Sequence, residues 1–166
     1  MLSLFLALTA FNLLCLLLTA ALGYAYGGSE TTQWHALAGA VAALTSCAVH
    51  CVVFTYFVAT AKWVQHAVEV KRLDPALVAP TRSFKLQAFP AALLAMASVF
   101  AAALAGAARA SWGASPAYHH VLSWVAIAIN VVVAVAEYRA IARNGRLIDE
   151  ILLRINRDAA ESAGGT

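Results

Sequence analysis

Chemistry in this chain concentrates in a few side chains that sit where water should not reach them. His50 and Glu137 both fall deep inside long apolar runs. An ionisable residue in such a run costs several kcal/mol unless it is partnered, so it marks a candidate site by default. Counting about 1.5 Å per residue from each helix midpoint places Thr55, Tyr56 and Asn130 within reach of the same zone. His50, Thr55, Tyr56, Asn130 and Glu137 are therefore expected to form one polar seam between the second and fourth helices. Three roles fit such a seam. It can fix helix register at about 0.6 kcal/mol per interhelical hydrogen bond. It can relay protons or touch a quinone. Alternatively Glu137 reaches toward Arg139 and Arg143 and pairs there.

The other histidines suggest a cofactor. Neutral imidazole is an axial ligand of haem iron. His35 and His50 are 15 residues apart, which on one helix is about 22 Å along and about 60° around. This resembles the stacked two-haem arrangement of cytochrome b bundles, although those families space their histidines more nearly in phase. His35 is expected to meet His119 or His120 at one membrane face, while His50 has only Met96 as a soft partner at its level. The candidate haem residues are thus His35, His50, His119, His120 and Met96. Simple interfacial polarity beside Trp34 and Tyr118 is the plainer reading of the outer histidines. A small metal site of His35, His119, His120 and Glu30 is a further option, since imidazole and carboxylate suit zinc or copper. Cys47, His50 and Cys51 lie within about one helical turn and are weak candidates for a soft metal. Buried cysteines usually behave as small hydrophobes. His66, at a helix exit, is expected to be solvated.

The elements that must carry these residues follow from the distribution of charge. Of the 166 residues, 63% are hydrophobic and 11% are Asp, Glu, Lys or Arg, against about 25% in soluble domains. Charge-free stretches cover residues 2–29, 31–61, 86–108 and 110–136, each longer than the roughly 20 apolar residues that a membrane helix needs. An all-α integral membrane protein is expected, a bundle of four transmembrane helices over about 2–22, 34–63, 85–110 and 117–142. Gly23–Ser29 reads as a turn, with Thr31 or Thr32 capping the second helix. The segment Gln65–Lys85, broken by Pro75 and Pro80, reads as a polar link. After Asn144-Gly145 a separate amphipathic cytoplasmic helix is expected, carrying Leu147, Ile148, Ile151, Leu152 and Ile155 on one face, followed by a disordered end from Ser162. The division is a transmembrane domain, 1–143, and a cytoplasmic tail, 144–166.

Ten of the eleven basic residues lie between Lys62 and Lys85 or from Arg139 onward, and only Arg109 lies on the opposite side. By the positive-inside rule both termini are cytoplasmic, N-in and C-in, as in a bacterial inner membrane. The basic balance thus reads as topology rather than as a nucleic-acid surface. Ser98, Ala102 and Gly106 line one face of the third helix, next to Ala97, Ala101 and Ala105. Gly39 and Ala43 do the same on the second, and such faces let helices approach closely in lipid. They suit packing within the bundle, self-association or docking of other membrane subunits. No phosphate loop, nucleophile elbow or zinc-protease motif is present, so catalysis by the chain alone is not expected. Beyond the bilayer itself, the expected role is a non-catalytic or b-haem electron-transfer subunit of a larger membrane complex. The alternatives are an oligomeric proton or ion channel or transporter component using the His50–Glu137 seam, and a purely structural bundle.

Overall fold

A computed structural model of the chain describes residues 1–26 and 32–164. Four α-helices account for nearly all of them: α1 (Leu2–Tyr26), α2 (Thr32–Val70), α3 (Ala79–Trp112) and α4 (Pro116–Gly164). All four are long and apolar enough to cross a membrane. Their exposed surface agrees with that. Leu4, Leu6, Phe11, Leu14 and Leu18 on α1 are each about half exposed or more, a surface that water would penalise and lipid tails would not.

One stripe on each helix turns inward. On α1 it is Phe5, Thr9, Asn12, Leu16, Thr19 and Gly23; on α4 it runs from His119 through Ala126, Asn130, Val133, Glu137, Ala140, Asn144, Leu147 and Ile151. The steps of three and four residues are those of a seven-residue repeat, which keeps a seam facing its neighbours in a left-handed bundle. On α3 the inward stripe is almost bare: Ala88, Ala92, Ala95 and Ala102 are buried, with Val99 the one larger residue among them. That smoothness explains why α3 and α4 form the most extensive interface. Each helix packs beside its chain neighbour, and α1 closes the ring against α4. This leaves α2 and α4 facing each other across the diagonal.

The helices outrun their expected limits at the end rich in basic residues. α2 continues to Val70 and α3 begins at Ala79, so the expected polar link shrinks to a turn and a short 3-10 helix, Pro75–Val78. Pro75 and Pro80 start helices here instead of breaking them, because a proline in the first turn loses no intrahelical bond. The Asp74 carboxylate caps the short helix by accepting from the Ala76 N–H at 2.8 Å. Arg72, with φ of 51°, makes the reversal after α2. At the opposite end Gly113, with φ of 67°, closes α3 in the left-handed conformation.

The expected break at Asn144-Gly145 does not occur; α4 runs through both residues to Gly164. Asn144 is buried and donates to Thr60 Oγ1 at 3.0 Å. Leu147 and Ile151 are buried in the core with Val64, Ala67, Val68, Leu77 and Phe84. The apolar stripe of the tail is thus covered largely by the chain itself, which extends the bundle past its membrane-length section. The turn expected at Gly23–Ser29 is helical as far as Tyr26, and Gly27–Thr31 lie outside the described residues, with Glu30 and the Thr31 cap among them. Ser162–Gly164 continue the helix; Gly165 and Thr166 lie outside the described residues.

Candidate functional site: a polar ladder across the bundle diagonal

The parallel course of α2 and α4 aligns their inward stripes residue for residue. Three side-chain pairs cross the diagonal at an identical offset of 84 residues: His35–His119, Ser46–Asn130 and Thr60–Asn144. A fourth, His50–Glu137, crosses at an offset of 87. At about 1.5 Å per residue, the first and last rungs stand about 37 Å apart, slightly more than a hydrocarbon core of about 30 Å. The two middle rungs lie near its centre.

At the first rung, His35 Nδ1 lies 3.0 Å from the Thr19 carbonyl on α1, and His119 Nδ1 lies 2.9 Å from the Ala102 carbonyl on α3. A carbonyl only accepts, so both Nδ1 atoms carry hydrogen. In neutral imidazole that leaves each Nε2 as a bare lone pair. These two lone pairs face one another at 3.4 Å. Such an arrangement repels unless a cation, whether a proton or a metal, lies between them. The Nδ1–H to carbonyl bonds are the contacts that orient metal-binding histidines and fix their tautomer.

The glycines beneath explain how four helices converge there. A Cβ on Gly23 would lie 2.9 Å from His35 Cε1, and one on Gly106 would lie 3.0 Å from His119 Cε1. Each imidazole therefore occupies the space that any other residue would fill. His120 does not join the pair; it stacks on Tyr24 with ring centroids 5.2 Å apart, and Trp124 Nε1 donates to the Tyr24 hydroxyl at 2.9 Å.

The second rung is a carboxamide cluster. Asn130 Oδ1 accepts from Asn12 Nδ2 at 3.3 Å and from Ser46 Oγ at 3.4 Å, while Asn130 Nδ2 donates to the Ala126 carbonyl at 2.9 Å. Asn12 and Ser46 were not among the expected site residues. Asn12 is the lone carboxamide in its apolar run and was the available signal.

The third rung joins His50 Nδ1 to Glu137 Oε1 at 2.9 Å, with side chains 3% and 1% exposed. Glu137 is the one buried Asp, Glu, Lys or Arg among the described residues. Its partner is thus the histidine, not Arg139 or Arg143, both of which sit off the inward stripe. Thr55 and Tyr56 stay out of the seam. Thr55 is exposed and returns its hydroxyl to the Cys51 carbonyl, and Tyr56 is half-buried with its ring edge against Phe57. At about 100° per residue they lie about 140° and 120° around α2 from His50, so neither faces α4.

The remaining candidates disperse. Met96 is half-buried on α3, and His50 commits its Nδ1 to Glu137. Cys51 is exposed on the outer surface of α2, Cys47 is half-buried, and His66 is exposed. No group of three or more His, Cys, Asp or Glu side chains suited to a metal ion occurs among the described residues.

Apolar layers separate the two outer rungs from the two central ones. Between the first and second, Leu16, Ala42, Val99, Ala102 and Ala126 close the interior. Between the third and fourth, Phe5, Val53, Phe57 and Ala140 do so. The polar groups therefore form islands, not a continuous file. Compared with known protein families, with curated proteins and with solved structures, the chain matches none.

Proposed function

We propose that this chain is an electron-transfer subunit of a membrane complex, holding one b-type haem between His35 and His119. The observation that supports this reading is the pair of facing Nε2 lone pairs, each fixed by an Nδ1–H to carbonyl bond from a different neighbouring helix. His35 and His119 would hold the haem iron through their two Nε2 atoms, which face each other at 3.4 Å and would part slightly to admit it. The group would supply one-electron transfer there. In this reading α1 and α3 supply the orienting carbonyls, and Gly23 and Gly106 leave the imidazoles room. Basic-residue asymmetry puts the haem near the outer face, with both termini cytoplasmic in a bacterial inner membrane. Protein purified in detergent from haem-replete cells should carry about one haem per chain. A colourless preparation would overturn the reading.

A second reading has its own observation. The buried His50–Glu137 pair suits proton handling in a transporter component. The apolar layers on either side of it favour occluded binding over an open pore.

A further inference from the structure

Three buried polar atoms in the described residues have no hydrogen-bond partner in the chain: Thr9 Oγ1, Asn12 Oδ1 and His50 Nε2. Thr9 Oγ1 and His50 Nε2 share one level of the bundle, and Asn12 Oδ1 lies within about one turn of it. α1 and α2 run antiparallel, with Phe5 packed in the cluster of Val53 and Phe57, and Thr19 Cγ2 lying 3.7 Å from where a Cβ on Gly39 would stand. Asn12 meets the level of Ser46 through Asn130. Thr9 lies three residues from Asn12 on the α1 stripe, and His50 lies four residues from Ser46 on α2. Both steps lead toward the same end by about one turn. A buried donor or acceptor left unpaired costs about 1–3 kcal/mol, and three of them within about one turn call for a shared partner.

Charge decides what the nitrogen carries. The His50–Glu137 pair is electrically neutral in two forms: imidazolium with carboxylate, or neutral imidazole with protonated carboxyl. In both, Nε2 bears hydrogen. The form with Nε2 bare and the carboxylate ionised leaves a net negative charge near the bilayer centre, the costly case. The neighbours at that level supply no compensating charge: α1 offers Thr9 and Asn12, α3 offers Ala88, Ala92 and Phe89, and α4 offers Glu137 alone. On α2 itself the nearby titratable side chains are Cys47, Cys51 and Tyr56.

We propose that Thr9, Asn12 and His50 bind one water molecule at the centre of the bundle, and that this water and the His50–Glu137 pair together form an occluded proton-binding site. The water accepts from His50 Nε2–H and donates to Asn12 Oδ1 and Thr9 Oγ1, which satisfies all three atoms with the roughly three bonds typical of buried water. Release passes the Nε2 proton to this water, which gives one of its own to solvent admitted when the bundle opens and leaves neutral imidazole beside carboxylate; uptake reverses it. The apolar layers above and below hold the proton in place between openings. This inference is independent of haem at His35 and His119.

The test is nitrogen-15 NMR of the full chain, histidine-labelled, in lipid nanodiscs. The expected result is a protonated His50 Nε2 with magnetisation transfer to a water resonance, and deuterium exchange far slower than at the exposed His66. In the doubly substituted Thr9→Val, Asn12→Leu protein the water transfer should vanish while the Nδ1 signal bonded to Glu137 persists. The single, nearly isosteric Thr9→Val should weaken the transfer if the double variant does not fold. A bare Nε2, a protonated Nε2 with no water contact, or a water contact unchanged in these variants would overturn the proposal.

Discussion

His35 and His119 present their Nε2 atoms to each other across the bundle diagonal at 3.4 Å, each ring pinned from behind by a backbone carbonyl of a different helix. The offset of 84 residues that aligns them also aligns Ser46 with Asn130 and Thr60 with Asn144. One parallel register thus positions the facing imidazoles at one end and interhelical locks along the rest. Shifting that register by one residue would rotate every rung off the seam by about 100°.

Glycine at positions 23 and 106 is a steric requirement of the histidine pair. Gly23→Ala and Gly106→Ala should each displace the imidazole lying above, at a cost of about 1–3 kcal/mol for overpacking. Thermal unfolding in detergent should show the loss in both variants. The haem content of the purified variants should fall with it.

The His50–Glu137 pair should behave as a coupled unit. Removing one partner strands the other; breaking a buried pair costs about 3–5 kcal/mol in soluble proteins, and somewhat less is expected in a membrane. Glu137→Leu and His50→Leu should each destabilise strongly, while the double substitution should cost clearly less than their sum. A double-mutant cycle in bicelles measures this, and additive effects would show that the two residues do not interact.

Gly145 offers a test of the continuous α4. It lies mid-helix with nothing within 4 Å of where a Cβ would stand, so Gly145→Ala should stabilise the chain by about 0.5–1 kcal/mol. A hinge at Asn144-Gly145 would instead make the change neutral or harmful. Unfolding by sodium dodecyl sulfate, followed by circular dichroism, distinguishes the two.

Orientation is open to chemical labelling. A cysteine at Lys71, in the turn between α2 and α3, should react with a membrane-impermeant maleimide only after the cells are opened. A cysteine at the highly exposed Trp112 should react in intact spheroplasts. The reverse pattern would invert the topology. The native cysteines all lie within apolar helical stretches and should contribute little background.

Charge spacing alone made the four helices legible, because apolar length is a strong physical signal in lipid. Polar residues within those apolar runs marked His50, Glu137 and Asn130, and the meeting of His35 with His119 or His120. Helix ends were harder to read. Pro75, Pro80 and Gly145 look like breaks in a one-dimensional reading, yet Asp74 capping, packing of Leu77 and Phe84, and the Asn144–Thr60 bond override them. The exclusion of Thr55 and Tyr56 follows from their angle around α2, about 140° and 120° from His50, which counting by depth alone ignores. Pairing His35 with His119 instead of His120 depended on the Ala102 carbonyl and on the space above Gly106, neither visible without the packed bundle.

The haem assignment can be tested most directly by a reduced-minus-oxidised visible spectrum of detergent-purified, haem-replete protein in four forms: unaltered, His35→Ala, His119→Ala and His50→Ala. A sharp bis-imidazole haem b signal in the unaltered and His50→Ala proteins, lost in both His35→Ala and His119→Ala, is the predicted result. No haem signal in the unaltered protein, or a signal that survives loss of His35 and of His119, would contradict it.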